Sequence, residues 1–213
     1  MLSERMSVYH WILLGGFTVC FIFCAWQFIH VLRKTRIRQY SDSLGNPFPG
    51  IFFSFTGAMF PSKKETAFLH LPTYAAGLLF HLGTFLGFIV MVLLFFDAVP
   101  GFWLSYIMAG FLIITMACGI SILLKRTVMK KMRSLSSPDD YFSNILVSLF
   151  HGFSAVTLLK TTVEPFLFIY TTILLLYIPV GKLRHMVYFF TSRIHLGIFY
   201  GWRGVWPVKK DEI

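Results

Sequence analysis

The sequence predicts an all-α integral membrane protein, a bundle of five transmembrane helices. Three observations lead there. The chain is 56% hydrophobic and only 13% charged, with 25 Phe in 213 residues and a mean hydropathy of +0.71. A soluble domain of this size has too little interior to hide that much apolar surface, whereas a bilayer removes the need. Apolar stretches recur at the length a membrane crossing requires, about 20 residues for a hydrocarbon core about 30 Å thick. Finally, the basic residues fall almost entirely between alternate stretches, as they do when Lys and Arg are retained on the cytoplasmic side during insertion.

The five helices are expected near residues 10–32, 68–96, 102–124, 142–161 and 165–190, within a single integral domain 1–213. The first resembles a secretory signal in position, but it is long, lacks a small-residue cleavage site and runs into Arg33-Lys34, so it reads as a retained helix. The fourth is interrupted by Asn144, Ser148, His151 and Ser154. Their spacing of three to four residues puts most of them on one face, turned into a bundle rather than toward lipid. In the fifth, Pro179 frees a backbone carbonyl before His185 and predicts a kink.

Seventeen of the 19 Lys and Arg lie in the first loop (Arg33, Lys34, Arg36, Arg38, Lys63, Lys64), in the third loop (Lys125, Arg126, Lys130, Lys131, Arg133), or from the end of the fifth helix onward (Lys182, Arg184, Arg193, Arg203, Lys209, Lys210). This arrangement places the N-terminus outside and the C-terminus, with a basic tail over 191–213, on the cytoplasmic side; the fold as a whole implies a prokaryotic cytoplasmic (inner) membrane. It also accounts for the net charge of +10 without nucleic acid. A basic face of this kind holds anionic lipid head groups, and it also suits an acidic soluble subunit. Cys20, Cys24 and Cys118 show none of the paired spacing of zinc or iron–sulfur sites, and the chain has no phosphate loop, nucleophile elbow or intramembrane carboxylate relay.

The candidate chemistry rests on histidines, because an imidazole in hydrocarbon is costly without a partner. His81 and His185 sit in membrane-length segments that run in opposite directions, each toward the inner leaflet, so both reach a similar depth. Bis-histidine ligation of one haem needs that arrangement, each ring giving a neutral nitrogen to an axial position. Two histidines bonded to helix carbonyls satisfy the same pattern. Gly83, within Gly83-xxx-Gly87, admits either a neighbouring helix or a flat macrocycle. Lys182 and Arg184 are candidates to pair with haem propionates, and positive-inside placement explains them equally. His10 and His30 mark the ends of the first helix. His151 lies on the polar stripe of the fourth, where a cofactor or quinone contact is the less expected role.

Several segments resemble the gamma subunit of respiratory nitrate reductase: Leu79-Phe80-His81-Leu82-Gly83, Gly119-Ile120-Ser121-Ile122-Leu123-Leu124-Lys125-Arg126, Ser137-Pro138-Asp139-Asp140 and Ile178-Pro179-Val180-Gly181-Lys182-Leu183-Arg184-His185. The wider family includes cytochrome b subunits of heterodisulfide reductase and of sulfite-reduction complexes, and the stretch Tyr200-Gly201-Trp202-Arg203-Gly204 with Trp206-Pro207 is similar to those relatives. The resemblance implies a haem b subunit of a respiratory oxidoreductase, carrying electrons between a membrane quinone such as menaquinone and a cytoplasmic iron–sulfur partner. It implies no substrate chemistry of its own. The family's second haem uses ligands that here fall at about Met91 and Leu167, so the pattern implies one haem b, on His81 and His185. A rival arrangement keeps two: His70 precedes His81 by 11 residues, close to three turns, and His195 follows His185 by 10, so a continued helix would carry a second haem about 15 Å away. A haem-free anchor or assembly subunit is the competing class.

Overall fold

The computed structural model describes residues 7–34, 40, 42–60 and 70–207. Among them the chain is helical, with no strand. In order, the helices are α1 (Val8–Lys34), α2 (Pro47–Phe55), α3 (Leu71–Phe95), α4 (Phe102–Val128), α5 (Lys130–Ser134), α6 (Pro138–Leu159), α7 (Glu164–Tyr177) and α8 (His185–Trp202), with 3₁₀ turns at Gly57–Met59, Thr161–Val163 and Lys182–Arg184. Four of these, α1, α3, α4 and α6, are long and apolar enough to cross a membrane, and the broken pair from Thr161 to Trp202 makes a fifth if taken as one span. The lateral surfaces agree with a lipid environment: Phe21 and Phe85 on α1 and α3, and Ile107 on α4, are all well over half exposed.

The chain divides into two compact units. The first takes the N-terminal half of α1, to Phe21, and Pro72–Leu183; the second takes Ile22–Leu71 and everything from Arg184. In the first unit α6 is the most enclosed helix, packed along α4 and beside α7. Lipid tails are as apolar as leucine, so such packing depends on close approach of small residues rather than on expulsion of water. Gly87 provides it for Phe150, whose ring carbon would lie 2.6 Å from an added Cβ, and Gly119 provides it for Phe80 and Ser148.

Helix ends follow local chemistry. At the end of α3, Asp97 takes a left-handed conformation (φ 55°), and the Asp97 and Ala98 amides donate to the Leu94 and Leu93 carbonyls, a Schellman closure followed by Pro100. At α6, Pro138 occupies the first turn and the Asp140 carboxylate accepts from the Ser137 backbone amide at 2.9 Å, as acceptors near a helix N-terminus do.

The expected fifth helix over 165–190 is two helices. Pro179 removes a donor and crowds the preceding turn, and the chain turns back so that the Val180 and Gly181 amides both donate to the Tyr177 carbonyl. A side chain at Gly181 would collide with the Tyr177 ring. The break is therefore full, where the proline alone predicts a kink. The stretch expected as a tail from residue 191 is helical as far as Trp202. In the second unit the first loop contains α2, which packs on α8. Arg36, Arg38, Lys63, Lys64, Lys209 and Lys210, part of the expected basic asymmetry, lie outside the described residues.

Candidate functional site

Helix α3 has two unlike faces. Gly83 looks inward: a Cβ there would strike Thr115 and come within 2.9 Å of the His151 ring. His81 is two residues earlier, about 200° around the helix, and is exposed. Its neighbours one turn away on that outer face are Gly77, which has open space where a Cβ would stand, and Leu78 and Phe85, 52% and 63% exposed. Gly83 is thus a packing glycine, and the open glycine beside His81 is Gly77.

His185 opens α8 directly after the 3₁₀ turn Lys182–Arg184 and is exposed. The Arg184 guanidinium lies 5.9 Å from the centre of the Tyr188 ring. Lys182 belongs to a different set of contacts. Its ammonium bonds the Asp140 carboxylate, which is almost fully buried and also meets the Arg126 guanidinium at 2.9 Å. Beside them the Tyr177 hydroxyl donates to Asp139. The Ser-Pro-Asp-Asp motif therefore ties the end of α4 and the break after α7 to the start of α6.

Two further histidines are enclosed in the helix packing. His151 is fully buried; its Nδ1 is 3.1 Å from the Thr115 hydroxyl and its Nε2 is 3.1 Å from that of Thr84. The two hydroxyls also lie 2.9 Å from the carbonyls of Leu112 and Phe80. A neutral imidazole has one donor and one acceptor nitrogen, so one threonine accepts from the ring and the other donates to it. The result is a polar cross-link of α3, α4 and α6. His10 is nearly buried, bonded to the Ser7 hydroxyl, 3.9 Å from the Glu164 carboxylate and edge-on to Phe168. In α8, His195 Nδ1 is 2.9 Å from the Thr191 carbonyl, and His70 stands exposed just before α3.

Sequence reading singled out His151 but not its threonines, which carry no signal beyond lying one turn from small residues on apolar helices. The Asp140 cluster had a signal in the serine and aspartate flanking Pro138, a cap pattern. No group of three or more His, Cys, Asp or Glu side chains suited to holding a metal ion occurs among the described residues. No family model, curated protein or solved structure matches the chain.

Proposed function

We propose that the chain is a haem b subunit of a respiratory oxidoreductase complex, passing electrons between membrane quinone and a cytoplasmic iron–sulfur subunit, with its N-terminus outside and its C-terminus in the cytoplasm. The observation that carries this reading is the division among the histidines. His81 and His185, the two that the resemblance implies as ligands, are exposed, whereas His151 and His10 are buried in the helix packing.

The donor set suits the cofactor. Two imidazoles are a common axial pair for a low-spin haem iron, and a bound haem b supplies one-electron redox chemistry. His81 and His185 would hold the haem iron through their ring nitrogens, and Gly77 leaves open space beside His81 on the same face. Arg184, next to His185, offers a fixed positive charge for a propionate. Lys182, already committed to Asp140, anchors the turn that leads into His185 instead of serving as a second propionate partner.

The test is quinol-driven reduction of the purified chain in vesicles. A menaquinol analogue is expected to bring up the reduced b-type absorbance in the native protein. His81→Ala and His185→Ala are each expected to abolish it while leaving the helical content unchanged. A well-folded protein with no b-type absorbance under any reductant would leave the haem-free anchor as the reading.

A further inference from the structure

The second unit contains an element with no polar outer face. Helix α2, Pro-Phe-Pro-Gly-Ile-Phe-Phe-Ser-Phe, begins with Asn46 accepting from the Phe48 amide at 2.9 Å and Pro47 in its first turn. Gly50 and Ser54, one turn apart, form its inner face. A Cβ at Gly50 would lie 2.7 Å from the Gly201 Cα, and one at Gly201 would lie 2.9 Å from the Pro47 Cα. The Ser54 hydroxyl is 2.8 Å from the carbonyls of both Ile51 and Arg193. The Leu44 and Gly45 amides donate to the Trp202 carbonyl. Backbone thus meets backbone where Gly50 faces Gly201, as in glycine-mediated helix pairs within membranes, and Phe55 packs ring to ring with Phe189 and Phe190 at the other end of the contact.

The opposite face carries Phe48 and Phe52, 78% and 69% exposed, and Leu44 before the helix and Phe60 after it are 83% and 63% exposed. Nine residues span about 14 Å, too short for a hydrocarbon core of about 30 Å. Polar residues stand at both ends, with Asp42, Ser43 and Asn46 before α2 and Thr56 directly after it. A short helix with polar ends and an apolar side fits the boundary between head groups and acyl chains. Charge points to the lipid class: the described residues of this unit include Arg33, Lys34, Arg184, Arg193 and Arg203 against the single acid Asp42.

We infer that α2 is an interfacial helix, docked on α8 through its glycine face and inserting Phe48 and Phe52 among the upper acyl carbons of anionic phospholipids. The inference stands apart from the haem reading, since it shares with it only Arg184, one of five basic residues counted here, and none of the proposed ligands.

The experiment replaces Phe48 or Phe52 with the photoreactive p-benzoylphenylalanine in the full chain, reconstituted in phosphatidylethanolamine–phosphatidylglycerol vesicles, and identifies the adducts by mass spectrometry after illumination. Both positions are exposed, so neither replacement disturbs packing. Adducts to the upper half of acyl chains are expected at both positions. Phosphatidylglycerol should be enriched among them about fivefold over its share of the bilayer, the factor that about 1 kcal/mol of attraction to one basic residue supplies. Adducts to a second copy of the chain, adducts at terminal methyl groups, or no adducts from a folded protein would each overturn the interfacial placement. Phosphatidylglycerol in proportion to its share would overturn the anionic preference.

Discussion

At the scale of single residues, His151 shows how an intramembrane histidine is accommodated without a cofactor. Its ring spends both nitrogens on Thr115 and Thr84, and Gly83 is the residue that lets all three approach. His151→Leu removes the ring, after which both hydroxyls donate to the carbonyls of Leu112 and Phe80 on their own helices, so the loss is confined to the cross-link. Thermal unfolding in detergent is expected to show a destabilisation of about 1–3 kcal/mol, with haem content per chain unchanged. Loss of haem in this variant would make His151 a ligand and contradict the assignment to His81 and His185. Sequence reading placed His151 on a polar stripe because its spacing with Ser148 and Ser154 is local. It did not find Thr84 and Thr115, because what selects them is the packing of three helices that are distant in the chain.

At the scale of elements, the long apolar stretches were legible because length and hydropathy are enough to mark a span: α1, α3, α4 and α6 lie within a few residues of the expected ranges. The break after α7 was legible only as a kink. Pro179 is visible in the sequence, but the collision avoided at Gly181 and the bond from Lys182 to Asp140 join residues that one-dimensional reading does not pair. Helix α2 was not legible, since nine residues with two prolines and a glycine carry no helical periodicity, and the prolines are tolerated because both fall in the first turn, where no amide hydrogen bond is lost, with Gly50 and Ser54 docking on α8. If Asp140 anchors the turn Lys182–Arg184, Asp140→Asn leaves Arg126 and Lys182 without their shared anion. Trypsin cleavage after Lys182 or Arg184 in detergent is then expected to accelerate, by about tenfold if the lost charge-assisted bond contributes about 1.5 kcal/mol. An unchanged cleavage rate would mean that the turn is held by Tyr177 and Gly181 alone.

At the scale of the whole molecule, the proposed orientation rests on the basic residues and bears on which partner would meet the chain. By the positive-inside rule, the ends of α1 and α4 and the sequence from Lys182 onward would lie on the cytoplasmic side. An epitope at the N-terminus of the expressed protein is therefore expected to be reached from outside spheroplasts, and a C-terminal fluorescent reporter to mature in the cytoplasm. The opposite result would place the proposed iron–sulfur partner across the membrane from His185. Membrane residence was readable from composition, because a chain with so little charge has no other way to cover its surface. The identity of the cofactor was not readable to the same degree: a spacing of histidines marks positions, but ligation depends on the geometry of a filled site.

The most direct measurement is haem per chain, by the pyridine haemochrome spectrum set against amino-acid analysis of the purified protein. The account predicts one b-type haem per chain, lost in His81→Ala and in His185→Ala. Two haems per chain would restore the role considered for His70 and His195, and a folded protein containing none would contradict the cytochrome reading.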